Sequence, residues 1–167
     1  VVWLEANPHI IKELEDHVSQ YPNQKVINSL IGSSDETVTN FNISNNDAAS
    51  SSVFQFGKDL KSKKLKMVNS IKLKSKKFDT IIKEYSIDIS NYDFWVLDLQ
   101  GSELMALHGA QGSLKKCNSL LIEVSKDDQY LNAPRWEDIK KFLYQLDFQP
   151  NEELEDTHSD ILFLKRK

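Results

Sequence analysis

The chain has 167 residues, of which 40% are hydrophobic and 28% charged, the proportions of a globular protein able to bury a sizeable core. Its net charge of −4 gives no global attraction for nucleic acid or an anionic membrane, so neither is expected as a partner. The single cysteine, Cys117, excludes an intramolecular disulfide framework and a cysteine-based zinc cluster, and it fits a reducing, cytoplasmic setting.

Val1 to Leu4 read as an apolar strand, followed by Glu5-Ala6-Asn7-Pro8. Asn7 suits a helix N-cap and Pro8 the first helical position, where its missing N–H costs nothing. Ile11, Leu14 and Val18 recur at helical spacing until Tyr21-Pro22 stops the pattern. An apolar strand opening without a lead-in carries the expectation that these residues are part of a longer chain. Lys25 to Ile31 read as the next strand, closed by Gly32-Ser33-Ser34-Asp35, and Thr37 to Ile43 as a half-buried one. Asn42-Ile43-Ser44 matches a glycosylation triplet. Asn45 to Ser52 is a small, polar run, expected as a loop that connects strands or closes over a ligand.

Lys58 to Lys77 holds nine lysines against one acid, Asp59, without arginine or interleaved aromatics, the pattern of a solvated face. Met67 to Leu73 predict a strand and Phe78 to Tyr85 a helix. Phe94 to Leu99 is an apolar run of strand length, read as buried on both faces of a parallel sheet. Asp98 stands at its carboxyl end, Gly101 supplies a turn, and Ser102 is placed to cap a helix that stops at Gly109. Ser119 to Val124 is a second apolar strand with the acid Glu123 near its end. Pro134 to Asp147 predict an amphipathic helix, and Asp160 to Leu164 a final strand. Strands alternate with helices throughout, so the class is α/β with a mainly parallel sheet and an antiparallel extension near Asn45. No spacing of His9, His17, His108 or His158 marks a metal site.

The run Asp98-Leu99-Gln100-Gly101-Ser102-Glu103, continued by Leu107, Gly109 and Ala110, resembles the Asp-x-Glu-Gly-x-Glu-x-x-x-Leu-x-Gly-Ala signature of the FkbM-type methyltransferases. Leu4-Glu5-Ala6-Asn7-Pro8, Leu121-Ile122-Glu123-Val124 and Ser159 to Lys165 agree in order, so the resemblance spans nearly the whole chain as one methyltransferase-like domain, residues 1–167. Gln100 departs from the pattern, standing where the family carries Glu. The resemblance implies a Rossmann-like methyltransferase sheet of strand order 3-2-1-4-5-7-6. That sheet is mostly parallel with an antiparallel C-terminal strand. Strand 1 and its glycine-rich turn would precede Glu5, so the first strand is expected to be missing and cofactor binding to be weak. The strands ending at Leu4 and Leu99 would then pair with each other, or another segment would fill the gap between them.

The resemblance also implies S-adenosylmethionine as cofactor and a sugar, glycan or other small-molecule hydroxyl as methyl acceptor. Glu5 would hold the ribose hydroxyls, flanked by Ala6 and Asn7, with Ser33 and Asp35 near the adenine. Asp98 would face the methionine end or the acceptor, sharing a strand face with Gln100. Glu103 is either a general base or a complement to the helix N-terminus. Two other readings stay open: a nicotinamide-dependent enzyme, since an acid after the second strand serves both cofactors, and a non-catalytic module with the same fold. A homo-oligomer is also left open.

Overall fold

A computed structural model describes residues 1–166. Strand β1 (Val2–Glu5) leads to helix α1 (Ile11–Val18), and β2 (Lys25–Asn28) returns parallel to β1. The helix starts later than Pro8. The Asn7 side chain instead accepts the His9 N–H (3.1 Å), capping a turn at Pro8–Ile10 that precedes α1. The expected strand at Lys25 to Ile31 is interrupted at Ser29, and β3 (Leu30–Ile31) joins a different sheet. There β5 (Met67–Lys76) lies between β3, to which it is parallel, and β4 (Val38–Ser44), to which it is antiparallel. The expected antiparallel extension is thus present, with β4 shifted by one residue and β5 running three residues beyond the pattern, to Lys76. Between β4 and β5 the chain forms a loop and a short helix, α2 (Lys58–Ser62).

Helix α3 (Phe78–Glu84) precedes β6 (Phe94–Leu97), then come α4 (Glu103–Gly109), β7 (Ser119–Ser125), α5 (Trp136–Tyr144), β8 (Phe148–Pro150) and β9 (His158–Lys165). Their sheet runs β6-β7-β9-β8. β6 and β7 are parallel, and β9 is antiparallel to both its neighbours. This matches the segment 4-5-7-6 of the implied order, and β2-β1 matches 3-2. The continuous parallel sheet is not found. Among the described residues β1 pairs only with β2 and β6 only with β7, so the strands ending at Glu5 and Leu97 do not close on each other.

The main core lies between the last sheet and α4 and α5. Leu120, Ile122 and Val124 of β7 and Ile161 and Phe163 of β9 pack against Leu107, Trp136, Ile139 and Leu143. Burying a side chain of this size is worth about 1.5–3 kcal/mol, so these two helices carry much of the fold's stability. β7 alternates rather than being buried on both faces, and its second face, with Leu121 and Glu123, is only half covered. β6 departs further: Phe94 and Val96 are more than half exposed, because the core packs only against its other face, with Trp95 and Leu97.

Gly109 is also not the left-handed cap expected at the end of α4, since it lies inside the helix with ordinary helical φ. It is required for a different reason: a Cβ there would run into the carbonyl oxygen of Gly32, where α4 crosses the end of β3. The lysine-rich stretch falls on α2 and β5, and Lys74 and Lys76 pair with Glu36 and Glu84. Among the described residues no helix is long and apolar enough to cross a membrane.

Candidate functional site

Two acids stand at carboxyl strand ends, where ligands bind in α/β sheets: Glu5 as the last residue of β1, and Asp98 directly after β6. Glu5 accepts the Asn7 N–H (2.6 Å), and Asn28 holds the same turn by donating to the carbonyls of Glu5 (2.8 Å) and Ala6 (3.2 Å). Burial raises the Glu5 carboxyl above its ordinary value, against the pull of the Asn7 and Ala6 N–H groups. Asn7 is itself buried, its side chain spent on this turn.

The β6–α4 turn takes two consecutive left-handed residues, Gln100 (φ 54°) and Gly101 (φ 96°). Only the second is a glycine, and a Cβ there would also press on Tyr130 and Ala133. The non-glycine member is held by its contacts. The Gln100 carbonyl accepts the Ser52 hydroxyl (2.7 Å), its side-chain carbonyl accepts the Tyr130 hydroxyl (2.5 Å), and its amide donates to Asp98 Oδ1 and to Glu123 Oε2 (3.0 Å). Asp98 and Gln100 therefore meet through the turn, not by sharing a strand face.

Ser102 sits at the helix start, but its hydroxyl donates back to the Leu99 carbonyl (2.9 Å) instead of capping α4. The bracing comes from Glu103. Its Oε1 accepts the N–H groups of Leu99 (2.8 Å) and Gly101 (3.1 Å), and the residue is buried at 3% exposure. Burial pushes this carboxyl up to about 7, the bonds to backbone N–H groups notwithstanding.

The polar run after β4 is a built wall, not a slack connection. Asp47 (φ 54°) and Ala48 (φ 64°) turn it sharply, and the hydroxyls of Ser44 and Ser51 tie it by accepting the N–H groups of Ser50 and Ser44. Asn42 is buried and donates to the carbonyls of Ser52 and Phe54 (3.1 Å each), so the glycosylation triplet has no free amide to offer.

Strand ends, turn and loop enclose a cavity of about 240 Å³. Glu5, Ala6, Asp98 and Gln100 line it together, with Asp47 and Ser51 from the loop, and Leu4, Ile10, Leu30, Ile31 and Phe41 provide its apolar surface. Its charged side chains are Glu5, Asp47 and Asp98, and no described lysine, arginine or histidine lines it. Asn7, Ser33 and Asp35 are not in the lining. Asp35 is engaged elsewhere, accepting the Lys77 N–H (2.8 Å) and the Thr80 hydroxyl (2.9 Å) at the start of α3. Glu103 faces a smaller cavity of about 20 Å³ behind the turn, with Glu123, Tyr130 and His158. Among the described residues no group of three or more His, Cys, Asp or Glu side chains is arranged to hold a metal ion.

The strand-end acid pair and the turn between Asp98 and Glu103 lie within residues 1–150, with every strand but β9, and the model of the methyltransferase FkbM domain matches that span. The chain belongs to the FkbM methyltransferase family. No curated protein and no solved structure matches it at a significant level. Within this FkbM domain the loop of Asn45 to Ser52 was legible as one able to close over a ligand, and it lines the cavity; Tyr130 and the bond of Ser52 to Gln100 were not, because they join positions 30 and 48 apart. Glu123 was visible as an acid near a strand end, and His158 only as a lone histidine.

Proposed function

We propose that this FkbM domain is an S-adenosylmethionine-dependent O-methyltransferase acting on the hydroxyl of a sugar, glycan or other small molecule, its pieces β2-β1 and β6-β7-β9-β8 being parts of a Rossmann-like sheet. The observation that carries the cofactor is the charge of the cavity, three carboxylates and no basic side chain. Such a lining favours a cation and disfavours a ligand with two bridging phosphates. It therefore supports a sulfonium cofactor over the nicotinamide reading, for which the described lining offers no basic group to serve the pyrophosphate. When bound, S-adenosylmethionine supplies an electrophilic methyl group on a positively charged sulfur.

The chain's own residues then have separate tasks. Glu5 accepts hydrogen bonds from ribose hydroxyls at the end of β1, with Ala6 beside it, and Ile31 and Phe41 offer apolar surface for a base. Asp98 stabilises the positive end and faces the hydroxyl that loses its proton. Gln100 holds Asp98 in place, and Glu103 keeps the turn closed. Asn7, Ser33 and Asp35 have no direct part in this scheme.

Calorimetry with S-adenosylmethionine, S-adenosylhomocysteine and NAD tests the reading. Weak binding of the first is expected, about tenfold weaker binding of the second, whose sulfur carries no charge, and none of NAD. Binding of NAD in preference to both would overturn it.

A further inference from the structure

The turn at Gln100 separates two cavities, and carboxyls stand on both sides of it. Asp98 lines the large cavity, while Glu123 and His158 line the small one. The single amide nitrogen of Gln100 donates to Asp98 Oδ1 and to Glu123 Oε2, which draws the two carboxyls together. Both carboxyl oxygens are thus held on one nitrogen, and two acids this near each other disfavour double ionisation and favour keeping one proton between them. The other Glu123 oxygen, Oε1, is 3.1 Å from His158 Nε2. The Glu123 side chain is 18% exposed and that of His158 37%, so the imidazole connects the inner carboxyl to solvent on the far side of the turn from the exposed Asp98.

We propose that Asp98, Glu123 and His158 form a proton path from the large cavity to the surface, emptied when a positively charged ligand binds and refilled by the acceptor's proton. The proposal rests on the methyl-transfer reading above. A cation beside Asp98 favours its ionised form, so the pair gives up its shared proton through His158 to water. The same pair is then a vacant base facing the acceptor. In the transfer the acceptor's O–H bond breaks and its oxygen–methyl bond forms, while the sulfur–methyl bond breaks with its electrons left on sulfur. The released proton passes to Asp98 and is shared with Glu123 Oε2, so the vacated pair is refilled and His158 gives up nothing in this step. The positive charge disappears in the same step, so the pair regains its proton affinity when a proton is delivered. Glu123 acts through Asp98 and is a positioning residue, not a catalytic one.

The surroundings of Glu123 fit a carboxyl that carries a proton near neutrality. Besides Asp98 after β6 it is faced by Glu103 from α4, Asp160 and His158 from β9, and the Tyr130 hydroxyl. Three of these are acids, and burial together with their charge pushes the Glu123 carboxyl up to about 8. Gln100 is decisive: a carboxylate there would add a fourth negative charge and lose the donor that bridges the pair.

The test is carboxyl carbon NMR over pH on the chain, joined to calorimetry with S-adenosylmethionine in two buffers of different ionisation enthalpy. Glu123 should titrate near or above neutrality, and Asp98→Asn should move that step down toward the ordinary range. Binding S-adenosylmethionine at pH 7 should release most of a proton, S-adenosylhomocysteine almost none, and Glu123→Gln should bind without release. A Glu123 that titrates as an ordinary carboxyl and ignores Asp98→Asn overturns the path, as does binding without proton release. If the two carboxyls titrate together but S-adenosylmethionine does not bind, the methyl-transfer reading falls instead, and the path loses its cargo with it.

Discussion

At the scale of single residues, the site divides into side chains that face the cavity and side chains that hold those in place. Glu5 does both, since one carboxylate oxygen is bound to the Asn7 N–H while the residue lines the cavity. Glu5→Ala should weaken S-adenosylmethionine binding by about 1.5–3 kcal/mol for each hydrogen bond lost to the charged acceptor. Unchanged affinity in calorimetry would reduce Glu5 to a brace for its own turn. Asp98 is exposed, and among the described residues its side chain hydrogen-bonds to Gln100 alone. Asp98→Ala should therefore abolish methyl transfer while leaving the unfolding midpoint within the range of a surface change, about 0.5 kcal/mol. Full activity in this variant would remove Asp98 from the chemistry.

At the scale of elements, the strand–turn–helix from Phe94 to Gly109 is the unit on which the site depends. Its strand brings Asp98 to the sheet end, the left-handed pair aims Gln100 backward, and α4 buries Ala106 and Leu107 beneath it. The close crossing of α4 over β3 joins this unit to the cavity wall formed by Leu30 and Ile31. Gly109→Ala must force the crossing apart, and a destabilisation of about 1–3 kcal/mol is expected from such overpacking. Denaturant unfolding measures it. A gain in stability, the usual result of Gly→Ala inside a helix, would show that the crossing gives way freely.

For the molecule as a whole, the buried acids set how stability follows pH. The Glu103 carboxyl goes from 4.5 in the unfolded chain to about 7 in the fold, so the folded state binds the extra proton between those values. Its stabilising contribution is complete below pH 4.5 and is lost as pH rises through 7. Between pH 5.5 and 8.5 the loss from this group is about 2 kcal/mol. Glu103→Gln keeps a carbonyl oxygen for the Leu99 and Gly101 N–H groups and has nothing to titrate. Its unfolding free energy should fall less steeply over that range, and identical pH slopes for the two proteins would contradict the assignment. Glu123, also pushed up, adds a decline of the same sign at higher pH.

The sequence by itself determined the order of strands and helices, the class, the family and the two strand-end acids. Those follow from local patterns: short apolar runs, helical spacing at Ile11, Leu14 and Val18, and a fixed motif around Gly101. Boundaries shifted by a few residues where neighbouring elements decided them, as with β5 running on to Lys76 beside β3. Only the tertiary structure decided which faces are buried. Phe94 and Val96 are as apolar as core residues, yet packing leaves them exposed because the core lies against the other face of β6. It also decided that Gly109 serves a close crossing and not a turn, since helix contacts lie outside any local pattern. The same holds for the site's inner side. Gln100, Ser52, Glu123, Tyr130 and His158 are spread over more than a hundred positions, and hydrogen bonds of about 3 Å join them only once β4, β6, β7 and β9 are in register.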